Sequence, residues 1–217
     1  MTIEDDRVAA VLAADRVLRR AVSTLLSADD PRTVVAAIER TVGSLRAANN
    51  DDGVVDSLVA LAEVLANVQH ADANRILVGL LDHAEPMVRG MAGESLMERM
   101  YERYAEVLRS IETAVGAGLG ATALAEVPFL LAEVGEPGGL AFVKKLLSHA
   151  DPDVAGAAVE AVGIFGDPSS LPSLESMVSD ARTLTAEDEE SGDSLTVGEL
   201  AMEVVNHLRA LRSGDRS

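Results

Sequence analysis

The stretch LLSHADPDVAGAAVEAVGIFGDP, residues 146–168, contains the features that decide the fold. Its Asp151-Pro152 pair indicates a helix start, because an acidic side chain can accept hydrogen bonds from the first turn and proline there removes no donor that the helix needs. Apolar residues then recur at helical spacing as far as Gly166, a residue type that often ends a helix with a positive φ. The stretch therefore predicts a helix end, a tight turn, a second helix and a stop.

This pattern recurs along the chain. LLDHAEPMVRGMAGESL at 80–96 matches LLSHADPDVAGAAVEAV at 146–162 at nine of seventeen positions without a gap. VGEPGGLAFVKKLL at 134–147 aligns with FGDPSSLPSLESMV at 165–178, which begins 31 residues later, and a weaker copy, LLSADDPRTVVAAIER, occupies 25–40. The first spacing of 66 residues fits two units of about 33, so the sequence predicts an array of repeated helix pairs.

The Leu-Leu pair, the acid-Pro turn, the Val two residues beyond the proline and the Gly-acid-Pro ending resemble HEAT repeats, especially the short bacterial type. The resemblance is strongest over 72–181. It implies an all-α fold, a right-handed α-α superhelix (HEAT-like solenoid) of about five helix pairs. In that family an Arg often follows the Val; Arg89 keeps it and Ala155 does not. A continuous Asp-Arg ladder along the turns is therefore not expected.

We expect a single solenoid domain over 1–217, with degenerate repeats at 1–71, the best-matched repeats at 72–181, an acidic loop at 182–194 and a capping helix at 195–212. Helices are predicted at 4–27, 31–48, 53–69, 73–83, 86–114, 120–134, 138–149, 152–165, 169–181 and 195–212.

The composition fits packed helices. Hydrophobic residues make up 48% of the 217 residues but aromatic residues only 2%, so Leu, Val, Ile, Ala and Met must form the core. The chain has no Cys, which excludes disulfides, thiolate metal sites and cysteine nucleophiles.

The formal net charge of -18 excludes nucleic acid as a natural partner, since phosphate binding requires clustered Lys and Arg. A basic protein partner fits better, although solubility or a salt-adapted host would also explain the charge. The acidic start of the chain does not resemble a secretory signal. The longest uncharged stretch, at 113–125, is shorter than the roughly 20 residues that span a bilayer. These features predict a cytoplasmic protein that does not bind membranes.

No catalytic constellation is present in the sequence. His70, His83, His149 and His207 lack metal-ligand spacing, and His83 and His149 occupy equivalent repeat positions, which favours a shared role near a turn. Repeat enzymes resembling deoxyhypusine hydroxylase hold iron with His-Glu pairs where this chain has Arg89-Gly90 and Ala155-Gly156. The glycine-rich stretch 116–121 follows a predicted helix and not a strand, so we interpret it as a hinge between two halves of the array and not as a phosphate loop. We expect no enzyme activity, catalytic residue, cofactor or metal.

The surface expected to bind a partner is formed by the second helices, which line the concave side of such solenoids. Tyr101 and Tyr104, the only tyrosines, lie one turn apart and fit either an interface or a gap in the core. The candidate partner-binding residues are Arg89, Glu94, Glu98, Tyr101, Tyr104 and Glu160.

These observations predict a non-enzymatic scaffold or adaptor that presents a curved acidic surface to a protein partner. One alternative is a HEAT-like lyase or enzyme-associated subunit that holds a small ligand or a substrate protein in its concave groove. Another is a self-assembling structural subunit that forms homo-oligomers, because an end helix of such an array can leave apolar surface uncovered.

Overall fold

The computed structural model describes residues 3–27, 30–48, 51–185 and 195–214. Within these ranges the chain forms ten α-helices and no named strand. The helices are α1 (Ile3–Leu26), α2 (Pro31–Arg46), α3 (Asp52–Asn67), α4 (Ala71–Leu80), α5 (Pro86–Gly116), α6 (Ala121–Val134), α7 (Pro137–Leu146), α8 (Pro152–Phe165), α9 (Leu171–Glu175, preceded by a 3₁₀ turn at Pro168–Ser170) and α10 (Val197–Gly214).

The long helix α5 contains a break that sets the pairing of the helices. Arg103 has φ -142° and ψ 45°, outside the helical region, so 86–102 and 104–116 act as two helices. The described residues then form five helix pairs: α2 with α3, α4 with 86–102, 104–116 with α6, α7 with α8, and α9 with α10. The all-α prediction is confirmed, and the helix predicted as continuous over 86–114 is divided between two pairs.

The second helices of the pairs pack side by side and form one layer, in the order α3, 86–102, α6, α8, α10. Ser95 of α5 donates a hydrogen bond to the carbonyl of Ala62 in α3. Gly93 lies under Leu130 of α6, and Gly163 of α8 lies under Val204 of α10. The small residues therefore allow neighbouring second helices to approach closely.

The core lies between this layer and the first helices. Its fully buried side chains are aliphatic and come from both layers, and each contributes about 1.5–3 kcal/mol by leaving water. They include Leu58, Leu65, Leu77, Leu96, Leu131, Leu174 and Leu208. The N-terminal helix α1 packs only against α2 among the pairs that make substantial contact.

The helix ends follow the sequence signals in most cases. Gly135 and Gly166 end α6 and α8 with φ of 72° and 64°, as the sequence predicts. The glycine-rich stretch 116–121 forms the turn between the two helices of one pair, with Gly118 at φ 90°, and so does not separate two halves of the array. Of the predicted acidic loop, only 182–185 is described; residues 186–194 lie outside the described ranges.

Candidate functional site

Equivalent positions on the five second helices can be aligned through their first buried valine or alanine. These residues are Val54, Val88, Ala123, Val154 and Val197. The position six residues later is exposed in every helix, and the position ten residues later is exposed in all except α3, where it is half-buried. The two positions lie about one helical turn apart and define a continuous outer surface on this layer.

We call this surface the second-helix face. The position six residues on carries Ala60, Glu94, Phe129, Glu160 and Glu203. The position ten residues on carries Val64, Glu98, Glu133, Ile164 and His207. Half of these residues are glutamates and none is Lys or Arg, so the face is acidic with apolar residues among the carboxylates.

Cations are scarce on the whole second-helix layer. Helices α3, α6 and α8 contain no Lys or Arg. Segment 86–102 contains Arg89 and Arg99, whose guanidinium groups donate to backbone carbonyls. Helix α10 carries Arg209, which pairs with Glu175 of α9, and Arg212. Along α3, 86–102, α6 and α8 the exposed glutamates therefore have few cationic neighbours, and their negative potential reaches solvent.

Exposed apolar residues share this distribution. Among the described helices, large hydrophobic side chains that face solvent lie on α1, which belongs to no pair, or on the second helix of a pair. None lies on the first helix of a pair. On the second helices they are Met87, Tyr101, Phe129, Ile164, Met202 and Leu211. Apart from those of α1, the large apolar side chains exposed on helices thus lie on the second-helix layer, and such concentration is typical of a contact surface.

The structure divides the residues predicted from the sequence. Glu94, Glu98 and Glu160 lie on the second-helix face. Tyr101, one to two turns beyond Glu94 on the same helix, is 67% exposed. These four residues therefore belong to one surface.

Tyr104 lies on the other side of the break at Arg103 and is half-buried against the core. A Cβ atom at Gly139 would lie 2.6 Å from the Tyr104 hydroxyl, so the ring fills space that this glycine leaves free. Burial raises the pKa of the Tyr104 phenol, and the nearby Glu136 carboxylate acts in the same direction. Tyr101 and Tyr104 thus have different environments despite their spacing.

Phe129, Glu133, Ile164, Glu203 and His207 belong to the face, although sequence reasoning did not select them. The repeat spacing would have identified them, because α6 begins 35 residues after α5 and α8 begins 31 residues after α6. Extending the register through α6 to α10 would have found these residues.

The family comparison supports the repeat assignment. Residues 121–189 match the model for HEAT repeats. This part of the chain is similar to HEAT repeats. No curated protein is significantly similar to the sequence.

Solved structures similar to this chain include an engineered protein of the Northeast Structural Genomics Consortium, with 16% identity over 88% of this chain and 96% of that chain and a TM-score of 0.34. A designed armadillo repeat protein gives 17% identity over 87% and 98%, with a TM-score of 0.30. Human deoxyhypusine hydroxylase in complex with glycerol gives 18% over 93% and 99%, with a TM-score of 0.28. Scores below 0.5 do not bear on the function of this chain.

Arginines stabilise two equivalent turns of the helical array. Arg89 donates from Nη1 to the carbonyls of His83 and Ala84, at 3.1 and 2.8 Å, and its Nε lies 3.3 Å from a Glu126 carboxylate oxygen. Arg89 therefore holds the turn between α4 and α5 instead of presenting its charge on the second-helix face.

In the later repeat, where Ala155 stands at the place equivalent to Arg89, Arg182 supplies the guanidinium. Its Nη1 donates to the carbonyls of His149 and Ala150 at 2.7 and 2.9 Å. Asp180 holds the same side chain through Nε and Nη2. The departure from the HEAT pattern at Ala155 is thus compensated by a residue 27 positions later in the chain.

Two histidines fulfil the predicted turn role. The Nδ1 atoms of His83 and His149 accept hydrogen bonds from the backbone N–H groups of Glu85 and Asp151, both at 3.1 Å. Within the described ranges, no group of three or more His, Asp or Glu residues is placed to hold a metal ion. Across the same ranges, no helix is long and apolar enough to span a membrane.

Proposed function

We propose that this protein is a non-enzymatic scaffold whose second-helix face binds a protein segment that is both basic and apolar. The observation that carries the proposal is that the second-helix face combines exposed glutamates, exposed apolar side chains and no Lys or Arg. HEAT-type repeats generally serve protein–protein interaction, which supports a binding role. The class of partner follows from the chemistry of this face.

Two physical contributions would act together on such a partner. Glu94, Glu160 and Glu203 attract cationic side chains and speed the encounter, an effect that salt weakens. Phe129 and Ile164, which are 36% and 59% exposed, offer apolar surface between the carboxylates. Such apolar contacts dominate the lifetime of a complex, so the partner needs both kinds of residue.

The proposal can be tested by selecting peptides from a random display library on the immobilised protein. Selected peptides should combine Lys or Arg with Leu, Ile or aromatic residues. Their affinity should fall by about tenfold or more in Glu94→Lys/Glu160→Lys, because reversing charges on the face repels the ligand. Glu106→Lys/Glu112→Lys, on a first helix, changes net charge equally and should retain most of the binding.

Two results would remove the proposal. One is a selected set without enrichment in basic residues. The other is an equal loss of affinity in the two double variants, since net charge alone would then account for binding. Circular dichroism of each variant confirms that the helices remain folded.

Self-assembly is a second candidate, favoured by α1. This helix exposes Leu12, Val17, Leu18 and Leu25, at 51, 68, 58 and 36%. An exposed apolar stripe on the first helix of an array would be covered if α1 packed against a second copy.

Light scattering over a range of protein concentrations tests this candidate. The wild-type mass should rise with concentration, and Val17→Glu/Leu18→Glu should stay monomeric. Ser23→Glu, a charge added at an exposed position of the same helix, serves as the control and should still assemble. A wild-type protein that stays monomeric at every concentration would rule out self-assembly through α1.

A further inference from the structure

A groove lies between α4 and the second half of α5, on the first-helix side of the molecule. Its cavity volume is about 820 Å³, within the range that holds small ligands. One wall is a single face of α4, including Asp72, Arg75 and Gly79, and the other wall is a face of 104–116, including Glu106 and Arg109. The turn 117–120 closes one end.

Other neighbouring first helices are joined by ion pairs. Arg75 of α4 lies 2.8 Å from Glu39 of α2, and Lys145 of α7 lies 3.7 Å from Glu112 of α5. Lys144 lies 3.9 Å from Asp167, which precedes α9. Among the described residues, no ion pair joins α4 to 104–116. The groove occupies the gap where such a bridge is missing.

Four arginines line this gap in a chain that has twice as many acidic as basic residues. They are Arg46, Arg75, Arg103 and Arg109. Arg75 forms an ion pair with Glu39, which lies outside the groove. Arg103 donates a hydrogen bond to Gln69, which is itself a lining residue. Arg46 and Arg109 form no ion pair within the described ranges, although Asp72, Asp82 and Glu106 also line the groove. The guanidinium groups of Arg46 and Arg109 can therefore form an ion pair with an anionic ligand.

Small residues keep the groove open. Ala71, Gly79, Ala114 and Ala117 are among its lining residues. A Cβ atom at Gly79 would lie 3.8 Å from Nη1 of Arg46, so the guanidinium of Arg46 extends across α4 at the place where that helix lacks a side chain. The lining of the groove thus combines small apolar residues with charged ones.

The imidazole of His70 also lines the groove. Its Nδ1 accepts a hydrogen bond from the backbone N–H of Asp72 at 3.2 Å. An imidazole whose Nδ1 is an acceptor carries its proton on Nε2 when neutral. This proton can donate to an oxygen atom in the groove, to which His70 also contributes lining.

We propose that this arginine groove binds a small molecule that carries an oxyanion group, phosphate or carboxylate, on a compact apolar body. Arg46 and Arg109 contact the oxyanion, because a guanidinium presents paired donors that match two oxygens of such a group. The small apolar lining residues accommodate the body of the ligand. The groove lies in the layer opposite the second-helix face, so this site is independent of the scaffold function.

Amide chemical shifts of the folded full-length chain, titrated separately with pyrophosphate and with citrate at constant ionic strength, test the proposal. Saturable shifts should appear at Gly79, Gly118 and Gly120 for at least one probe. The dissociation constant should rise by about tenfold or more in Arg46→Gln/Arg109→Gln, since two charge-assisted contacts are lost. Arg40→Gln, an exposed arginine of α2 outside the groove, should bind like the wild type.

A second variant tests whether binding requires the open volume of the groove, without changing its charge. Ala114→Leu places a larger side chain in the lining of the groove and should abolish the saturable shifts while all four arginines remain. Response to pyrophosphate alone assigns the phosphate class, and response to citrate alone assigns the carboxylate class. The proposal is overturned if neither probe saturates, or if Arg46→Gln/Arg109→Gln and Arg40→Gln bind equally.

Discussion

Arg99 is a buried cation that is held by backbone carbonyls. The residue is 6% exposed and forms no ion pair within the described ranges. Its guanidinium donates to the carbonyls of Leu65, Ala66, Val68 and His70 and to Oδ1 of Asn74. Burial lowers the pKa of Arg99. The side chain thereby satisfies the carbonyls at the end of α3 and joins α3 to α4.

Arg99→Lys should reduce the free energy of unfolding by about 2–4 kcal/mol, because an ammonium cannot reach carbonyls that a planar guanidinium contacts together. Denaturant unfolding measures this difference. Arg40→Lys, at an exposed position of α2, should change stability by less than about 0.5 kcal/mol. Equal effects of the two changes would show that the hydrogen-bond network of Arg99 contributes little.

Protonation of the His83 imidazole makes the free energy of unfolding depend on pH. Burial lowers the pKa of its imidazole below the ordinary value of 6.5; Arg46 and Arg89 act in the same direction, and Glu85 opposes them. The unfolded chain therefore binds a proton at a higher pH than the folded chain. The contribution of neutral His83 is complete above 6.5 and is lost as the pH falls through 6.5 towards the folded-state pKa.

Thermal unfolding at pH values from about 7.5 to about 5.5 checks this prediction. The wild type should lose stability over this range more steeply than His83→Asn, which keeps a side-chain acceptor for the Glu85 N–H but does not titrate. His207→Asn, at an exposed position, should follow the wild type. Parallel curves for wild type and His83→Asn would contradict the assignment.

At the scale of the element, the acid-Pro pairs divide by the length of the acidic side chain. The aspartates Asp30, Asp151 and Asp167 accept hydrogen bonds from N–H groups of the turn that follows. The glutamates Glu85 and Glu136 precede helices but make no side-chain cap. The shorter Asp side chain accepts hydrogen bonds from the first turn, whereas the longer Glu side chain does not. Acid-Pro pairs therefore mark helix starts both with and without a side-chain cap.

Asp151→Ala should therefore destabilise the protein by about 1 kcal/mol, since it removes the acceptor for the N–H groups of Asp153 and Val154. Glu136→Ala, at the matching place before α7, should cost only a few tenths of a kcal/mol. Chemical denaturation compares the two. A larger effect at Glu136 would show that capping does not explain the acid-Pro pattern.

The break in α5 is another property of an element. Residues 99–107 contain no Pro or Gly, so local propensity predicts one continuous helix. Met100 on one side is buried in the core, whereas Tyr104 on the other side packs against Gly138 and Gly139 of α7. The two halves pack in different pairs, and tertiary contacts with partners far along the chain therefore override the helical preference at Arg103.

At the scale of the whole molecule, charge is distributed by layer. Cations of the array from α2 to α7 lie mainly on first helices, and the second-helix face carries glutamates. A net charge of -18 repels itself in the folded chain, and the exposed ion pairs that oppose this repulsion are individually weak.

Raising NaCl from about 0.01 M to about 0.1 M shortens the Debye length from about 30 Å to about 10 Å, which should stabilise the fold by on the order of 1 kcal/mol. Differential scanning calorimetry should show this as a rise in Tm. The variant Glu94→Gln/Glu98→Gln/Glu160→Gln has less repulsion to screen and should respond less. A Tm that falls with salt in the wild type would mean that attractive pairs outweigh the repulsion.

Much of this architecture was predictable because its signals are local. The Asp151-Pro152 start, the Gly135 and Gly166 ends and the apolar period of about 33 residues are properties of contiguous sequence. Glu94 and Glu160 of the second-helix face were selected from the sequence for the same reason, since they occupy equivalent repeat positions.

The sequence by itself determined the all-α repeat, its helix starts and stops and the acidity of its second helices, because capping and periodicity act within a few residues. Only the tertiary structure decided the break at Arg103, the replacement of an absent turn arginine by Arg182 and the groove lined by Arg46 and Arg109. These features depend on side chains that lie roughly 30 or more residues apart along the chain and meet only when neighbouring repeats stack.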